Sequence, residues 1–143
     1  MISRTVLIAS GAFDQLSAQH VGRAIARGLD AGGFQTDLCP IQTDGDPPTD
    51  VRGLLEALDF DARMLRARAV VLAERQLAER ALTVSPVFEI ATRARQAGVP
   101  AYAVAAQNLL DPFDARILDL QVILEASGTR ALAAAGRRLA ELV

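Results

Sequence analysis

The residues able to do chemistry in this chain stand just after short apolar runs. Asp44 and Gly45 follow a run that ends at Cys39, Glu74 follows Val70, Val71 and Leu72, and Ser127, Gly128 and Thr129 follow Ile123 and Leu124. An acid beside a glycine can orient a substrate hydroxyl, and a carboxylate at the end of a buried strand is a candidate acid or base. A Ser-Gly-Thr that opens a helix offers N–H groups to a small anion. Each also has a purely structural reading. Asp44-Gly45 ahead of Pro47 and Pro48 is a turn signal. Glu74, Gln76, Glu79 and Arg80 suit the solvated face of a helix, and Ser127 or Thr129 an ordinary helix cap.

Composition removes several kinds of chemistry. All 15 basic residues are arginine. With no lysine, a Walker-type phosphate loop and a Schiff-base mechanism are both excluded. The formal charge of −2 gives no electrostatic reason to expect nucleic acid as a partner. Cys39 and His20 are the single cysteine and histidine, so an internal disulfide is impossible and a transition-metal site is not expected. No apolar run reaches the roughly 18 residues of a membrane span, and the N-terminus lacks a signal-peptide layout. The expectation is one cytoplasmic domain over residues 1–143, with no membrane partner and no metal.

The elements that must position these residues alternate along the chain. Apolar runs at 5–9, 36–39, 69–72, 101–105 and 120–124 read as strands. Between them, Val21, Ala24, Ile25, Gly28 and Leu29 recur at helical spacing from Ser17 to the stop at Gly32-Gly33. Short helices are expected at 51–58 and after Asp111-Pro112, with a charged connector at 59–66. Ser85-Pro86 opens a helix that runs to Ala97 and closes at Gly98, and a last helix carries Leu132, Ala135, Gly136, Leu139 and Leu142 on its inner face. Residues 73–82 are strong helix formers and read as helical. This alternation predicts an α/β three-layer sandwich, Rossmann- or flavodoxin-like, around a mainly parallel five-stranded sheet of order 2-1-3-4-5. The candidate residues then gather at the carboxyl ends of the strands, where such sheets bind ligands.

In that order, the loops resemble those of the two-domain bacterial glycerate kinases, whose Rossmann-like domain holds an inserted second domain. ASGAFDQLSA at 9–18 is similar to the family's P-D-S-F-K-G-S-L-S-A, and PIQTDGDPPT at 40–49 to P-L-A-D-G-G-E-G-T. VVLAERQLAERALTVSP at 70–86 is similar to D-L-V-I-T-G-E-G-R-L-D followed by G-K-A-P, and ATRARQAGVPAYAVAA at 91–106 to A-R-x-A-x-x-A-G-V-P-V-x-A-L-A-G. The resemblance implies a single glycerate kinase-like domain with the insert missing near 58–61, and substrate contacts from Asp44, Gly45 and Glu74. The family's lysine and glycine positions are otherwise filled: Ala73 and Arg75 flank Glu74, and Val84-Ser85 replaces the later Gly-Lys.

The leading expectation is therefore a degenerate domain that acts as a non-catalytic binding or interaction module, without a cofactor. The alternative is phosphotransfer from ATP with Mg²⁺ to glycerate or a related small organic acid, a partner chain supplying the missing half. A third is a small-anion sensor at Ser127, Gly128 and Thr129. A helical segment 73–82 would also set Leu77, Ala78, Ala81 and Leu82 in an apolar stripe where the absent domain would have packed. That stripe is the expected interface of a two-fold homodimer.

Overall fold

Five β-strands pair in one parallel sheet in a computed structural model that describes residues 3–41, 50–78 and 86–143. In chain order the elements are β1 (Thr5–Ser10), α1 (Ala18–Ala31), β2 (Gln35–Pro40), α2 (Val51–Ala57), α3 (Phe60–Leu65), β3 (Ala69–Leu77), α4 (Val87–Ala97), β4 (Ala101–Asn108), α5 (Pro112–Leu118), β5 (Ile123–Glu125) and α6 (Thr129–Leu142). The sheet order is β2-β1-β3-β4-β5, as the alternation of runs predicts. Every neighbouring pair is parallel.

The central strands carry apolar residues on both faces because helices cover both. On one face Val6, Ile8, Val71 and Val104 meet Val21, Ile25 and Leu29 of α1 and Leu132 and Leu139 of α6. On the other, Leu7, Val70 and Leu72 meet Leu55 of α2, Phe60 and Met64 of α3, Ile90 and Ala94 of α4, and Leu118 of α5. Helices α1 and α6 pack so closely that the crossing needs glycine. A Cβ on Gly28 would strike the Ala133 carbonyl, and one on Gly136 the Ile25 carbonyl.

Local chemistry explains most helix ends. Ser17 accepts from the His20 N–H and caps α1, Asp50 accepts from Gly53 and caps α2, and Asp111 accepts from Asp114 and caps α5. Gly98 ends α4 at φ 72°, a left-handed conformation that suits glycine. The charged connector is helical over α3, and Arg63 fixes it to the sheet. Its guanidinium donates to both Asp37 carboxylate oxygens at 2.7 and 3.0 Å, to the Leu38 carbonyl at 2.7 Å and to the Leu58 carbonyl at 3.1 Å.

Three expectations need correction. Residues 73–77 are strand, not helix: β3 continues to Leu77 because β4 runs beside it, pairing Glu74 with Ala105, Gln76 with Gln107 and Leu77 with Asn108. Residues 79–85, which include the expected cap at Ser85, lie outside the described part. The fifth strand is the short Ile123–Glu125 and not 120–124. The cap of α6 is Gly128 at φ 85°, with no side-chain hydrogen bond, so neither Ser127 nor Thr129 performs it.

Candidate functional site

At the carboxyl edge, β3 and β4 project beyond their neighbours. β1 pairs with β3 as far as Ser10 opposite Ala73, the Gly11 N–H adding a bond to the Ala73 carbonyl at 2.8 Å. β5 pairs with β4 as far as Glu125 opposite Ala105. Beyond those points the two middle strands continue as a tongue that divides the edge into two flanks.

On the β1 flank, Glu74 is half-buried, and its carboxylate lies beside Gly11: a Cβ there would sit 3.5 Å from each carboxylate oxygen. Burial raises the Glu74 pKa, while the Arg75 backbone N–H and then the Arg75 charge pull it back. Arg75 points to solvent and pairs with Asp14 of the β1–α1 loop at 3.6 Å. On the exposed surface of the tongue, Gln76 donates to the Gln107 side chain at 3.1 Å. On the β5 flank, the Asn108 N–H donates to Glu125 at 3.3 Å. Ser127, Gly128 and Thr129 are all exposed there.

The hydroxyls of the β1–α1 loop are likewise engaged. Ser10 is buried and donates to the Ala18 carbonyl at 2.7 Å, and Ser17 is taken up by the α1 cap and by His20 Nδ1 at 3.0 Å. The edge therefore offers acids and amides that bond to one another. Among the described residues, no three His, Cys, Asp or Glu side chains group to hold a metal ion.

The sequence candidates thus divide. Glu74 and the Ser127–Thr129 turn both reach the carboxyl edge, on opposite flanks of the tongue, and Asp44 and Gly45 lie outside the described residues. The helical stripe expected over Leu77, Ala78, Ala81 and Leu82 fails at its first member. Leu77 ends β3 opposite Asn108, is 1% exposed and packs in the same core cluster as Leu72 and Leu118. Ala78 is half-buried, and Ala81 and Leu82 lie outside the described residues. Sequence reasoning also missed a real apolar surface: Leu109, Phe113 and Ile117 are 54, 69 and 47% exposed around α5. The spacing of Phe113 and Ile117, four residues apart on a helix, was the available signal.

No protein-family model matches the chain, and no curated relative matches it. Among solved structures, a diflavin flavoprotein from Nostoc sp. superposes with a TM-score of 0.57 over 99% of this chain and 94% of that chain, at 10% identity. A protein described as pilus assembly-related, from Burkholderia pseudomallei K96243, gives 0.53 over 96% of this chain and 89% of that chain, at 15% identity. A flavodoxin-like domain from Synechococcus sp. gives 0.48 over 95% and 92%, at 16% identity. The fold is flavodoxin-like α/β.

The first two neighbours, neither of them a glycerate kinase, overturn the resemblance to that family. The motifs that suggested it are the joints any parallel α/β sheet needs. In the stretch Ala97-Gly98-Val99-Pro100, Gly98 ends α4 in the left-handed region and Val99 returns its N–H to Ala94 before β4 starts. The site expected to have lost an insert, 58–61, is a tight turn between α2 and α3, in which Asp59 at φ 54° is followed by the fully buried Phe60.

Proposed function

We propose that this chain is a non-catalytic interaction module, acting through its helical layers, and that it self-associates through α5. The observation that carries the reading is the exposure of Leu109, Phe113 and Ile117 around a seven-residue helix whose buried residue is Leu118. Large apolar side chains grouped on one outward face mark an association surface. A second copy suits this one because the charges flanking the stripe are opposite. At 100° per residue Asp114 falls on one side of Phe113 and Arg116 on the other. A two-fold axis parallel to the helix would bring each Asp114 side to the mate's Arg116 side, the self-complementarity that isologous contacts require.

The carboxyl edge supports the non-catalytic half of the reading. The first neighbour is named a flavoprotein, and a phosphate-bearing flavin in such a sheet would place its phosphate at the first strand–helix turn, where free hydroxyls and N–H groups are needed. Here the Ser10 and Ser17 hydroxyls are committed to α1, and the Arg75 guanidinium at the same edge is paired with Asp14. The residues present do not fit that group. Among the described residues no hydrogen bond joins Glu74 to a histidine or a hydroxyl, the partner that acid–base catalysis uses.

Sedimentation velocity over a wide concentration range tests the proposal. A concentration-dependent dimer is expected, and Phe113→Ser with Ile117→Ser should leave a folded monomer. A monomer at every concentration, or a dimer indifferent to the double substitution, would refute self-association through α5.

A further inference from the structure

Charge is distributed unevenly between the two helical layers. The layer formed by α1 and α6 carries Arg23, Arg27, Arg130, Arg137 and Arg138 against Asp30 and Glu141. Arg138 pairs with Glu141 at 2.8 Å, three residues along its own helix. Arg23, Arg27, Arg130 and Arg137 are exposed, and none of them has an ion pair or side-chain hydrogen bond to another described residue. In the opposite layer Arg63 is taken by Asp37, Arg93 by Glu89 and Asp61, Arg52 by Glu89 and Arg95 by the Ile117 carbonyl, while Arg66 and Arg116 stand apart at the end of α3 and on α5.

The four free guanidiniums are held together by the backbone. Gly28 and Gly136 touch at the helix crossing, so Arg27 and Arg137, each next in sequence to one of those glycines, flank the same level. Arg23 lies one turn back on α1, and Arg130 lies nearly two turns back on α6, on the same outward face as Arg137. Between them the surface is small, with Ala134 exposed and Ala133 half-buried. The result is a shallow, cationic, two-helix face.

We infer that the α1–α6 face docks an acidic segment of another protein, a run of Asp and Glu side chains whose carboxylates occupy the forks of Arg23, Arg27, Arg130 and Arg137. The planar guanidinium matches a carboxylate through two parallel hydrogen bonds. The face has no exposed Phe, Tyr or Trp to stack a nucleobase, its exposed His20 being tied through Nδ1 to the Ser17 hydroxyl at the start of α1, and its one exposed large apolar residue, Leu142, stands at the far end of α6. The net charge of −2 over the whole chain repels an extended polyanion at long range, whereas a short acidic segment feels chiefly the local patch. The inference rests on the reading of the chain as an interaction module and names the chemistry of a partner distinct from the second copy at α5.

Fluorescence anisotropy of a labelled oligoglutamate peptide, titrated with the full chain at low and at physiological salt, is the test. Saturable binding that weakens as salt rises is expected. Arg23→Glu together with Arg137→Glu should weaken it by about tenfold or more. Arg66→Glu, an exposed charge on the other layer and away from α5, should change it less than twofold. Circular dichroism melts of the variants establish that they remain folded. Absence of saturable binding at low salt overturns the inference, as does equal weakening by Arg66→Glu, which would make the effect one of net charge. Tighter binding of duplex DNA or of phosphatidylserine vesicles than of the peptide also overturns it. None of these results alters the sedimentation outcome for the Phe113 and Ile117 variant, so the two readings fail separately.

Discussion

Two side chains show how much a single residue controls. Glu74 is held half-buried at the strand edge with its pKa raised, chiefly by desolvation. Its folded form therefore keeps a proton that the unfolded chain has already released. Stability is greatest below the ordinary glutamate value of 4.5 and falls as pH rises through the raised folded value, where the buried carboxylate ionises. Glu74→Gln is expected to raise the melting temperature by a few degrees at neutral pH, and the gain should vanish at low pH. A pH series of thermal melts on both proteins checks this. Arg63 is the reverse case, a charge stabilised by partners: the Asp37 hydrogen bond comes first among the effects that raise its pKa. Arg63→Ala leaves two carbonyls and a half-buried carboxylate without a donor and should cost about 2 kcal/mol in urea unfolding. Arg63→Lys should recover little of it, because an ammonium cannot span both Asp37 oxygens and two carbonyls.

At the scale of elements, the segment 73–77 shows what local propensity leaves undecided. Ala73, Glu74, Arg75, Gln76 and Leu77 favour helix in isolation, yet they form strand. The deciding partner, β4 from Ala105 to Asn108, lies about thirty residues away, beyond the reach of any local window. Capping and stop signals, by contrast, are local, which is why Ser17, Asp111 and Gly98 were legible as helix boundaries. The α1–α6 contact was legible in part. Gly28 and Gly136 were visible on the inner faces of their helices, but nothing local showed that they meet. Gly136→Ala is expected to destabilise the fold by about 3 kcal/mol, since the new methyl meets the Ile25 carbonyl and the helices must separate. Higher helix propensity returns only about 1 kcal/mol of that loss. Denaturant unfolding measures the balance, and a stabilised variant would show that α1 and α6 have room to part.

For the molecule as a whole, layering followed from the alternation of apolar runs, because parallel strands need crossover helices, whereas the strand order was a choice among the few arrangements that right-handed crossovers leave. The candidate site was less legible for the same reason. Glycines, hydroxyls and acids after each strand are required by the joints of the fold, so they imitate ligand-binding loops whether or not a ligand is bound. Ser10 and Ser17 illustrate the point: both stand where a phosphate loop would use them, and both are spent on α1. The surfaces that remain chemically unspent are the apolar face of α5 and the cationic face of α1 and α6. They lie on opposite sides of the sheet, so a dimer joined at α5 keeps both cationic faces open. Oligoglutamate affinity should therefore be unchanged, within about twofold, between the wild-type chain and the Phe113→Ser, Ile117→Ser variant.

The glycine crossing of α1 and α6 has a bearing on biosynthesis. Helix α1 finds its tightest neighbour in one that leaves the ribosome about a hundred residues later, so the emerging chain must hold Val21 and Ile25 short of their α6 partners until that helix is made. Nascent chains halted before Thr129 should engage chaperones that chains extending past Leu142 no longer recruit.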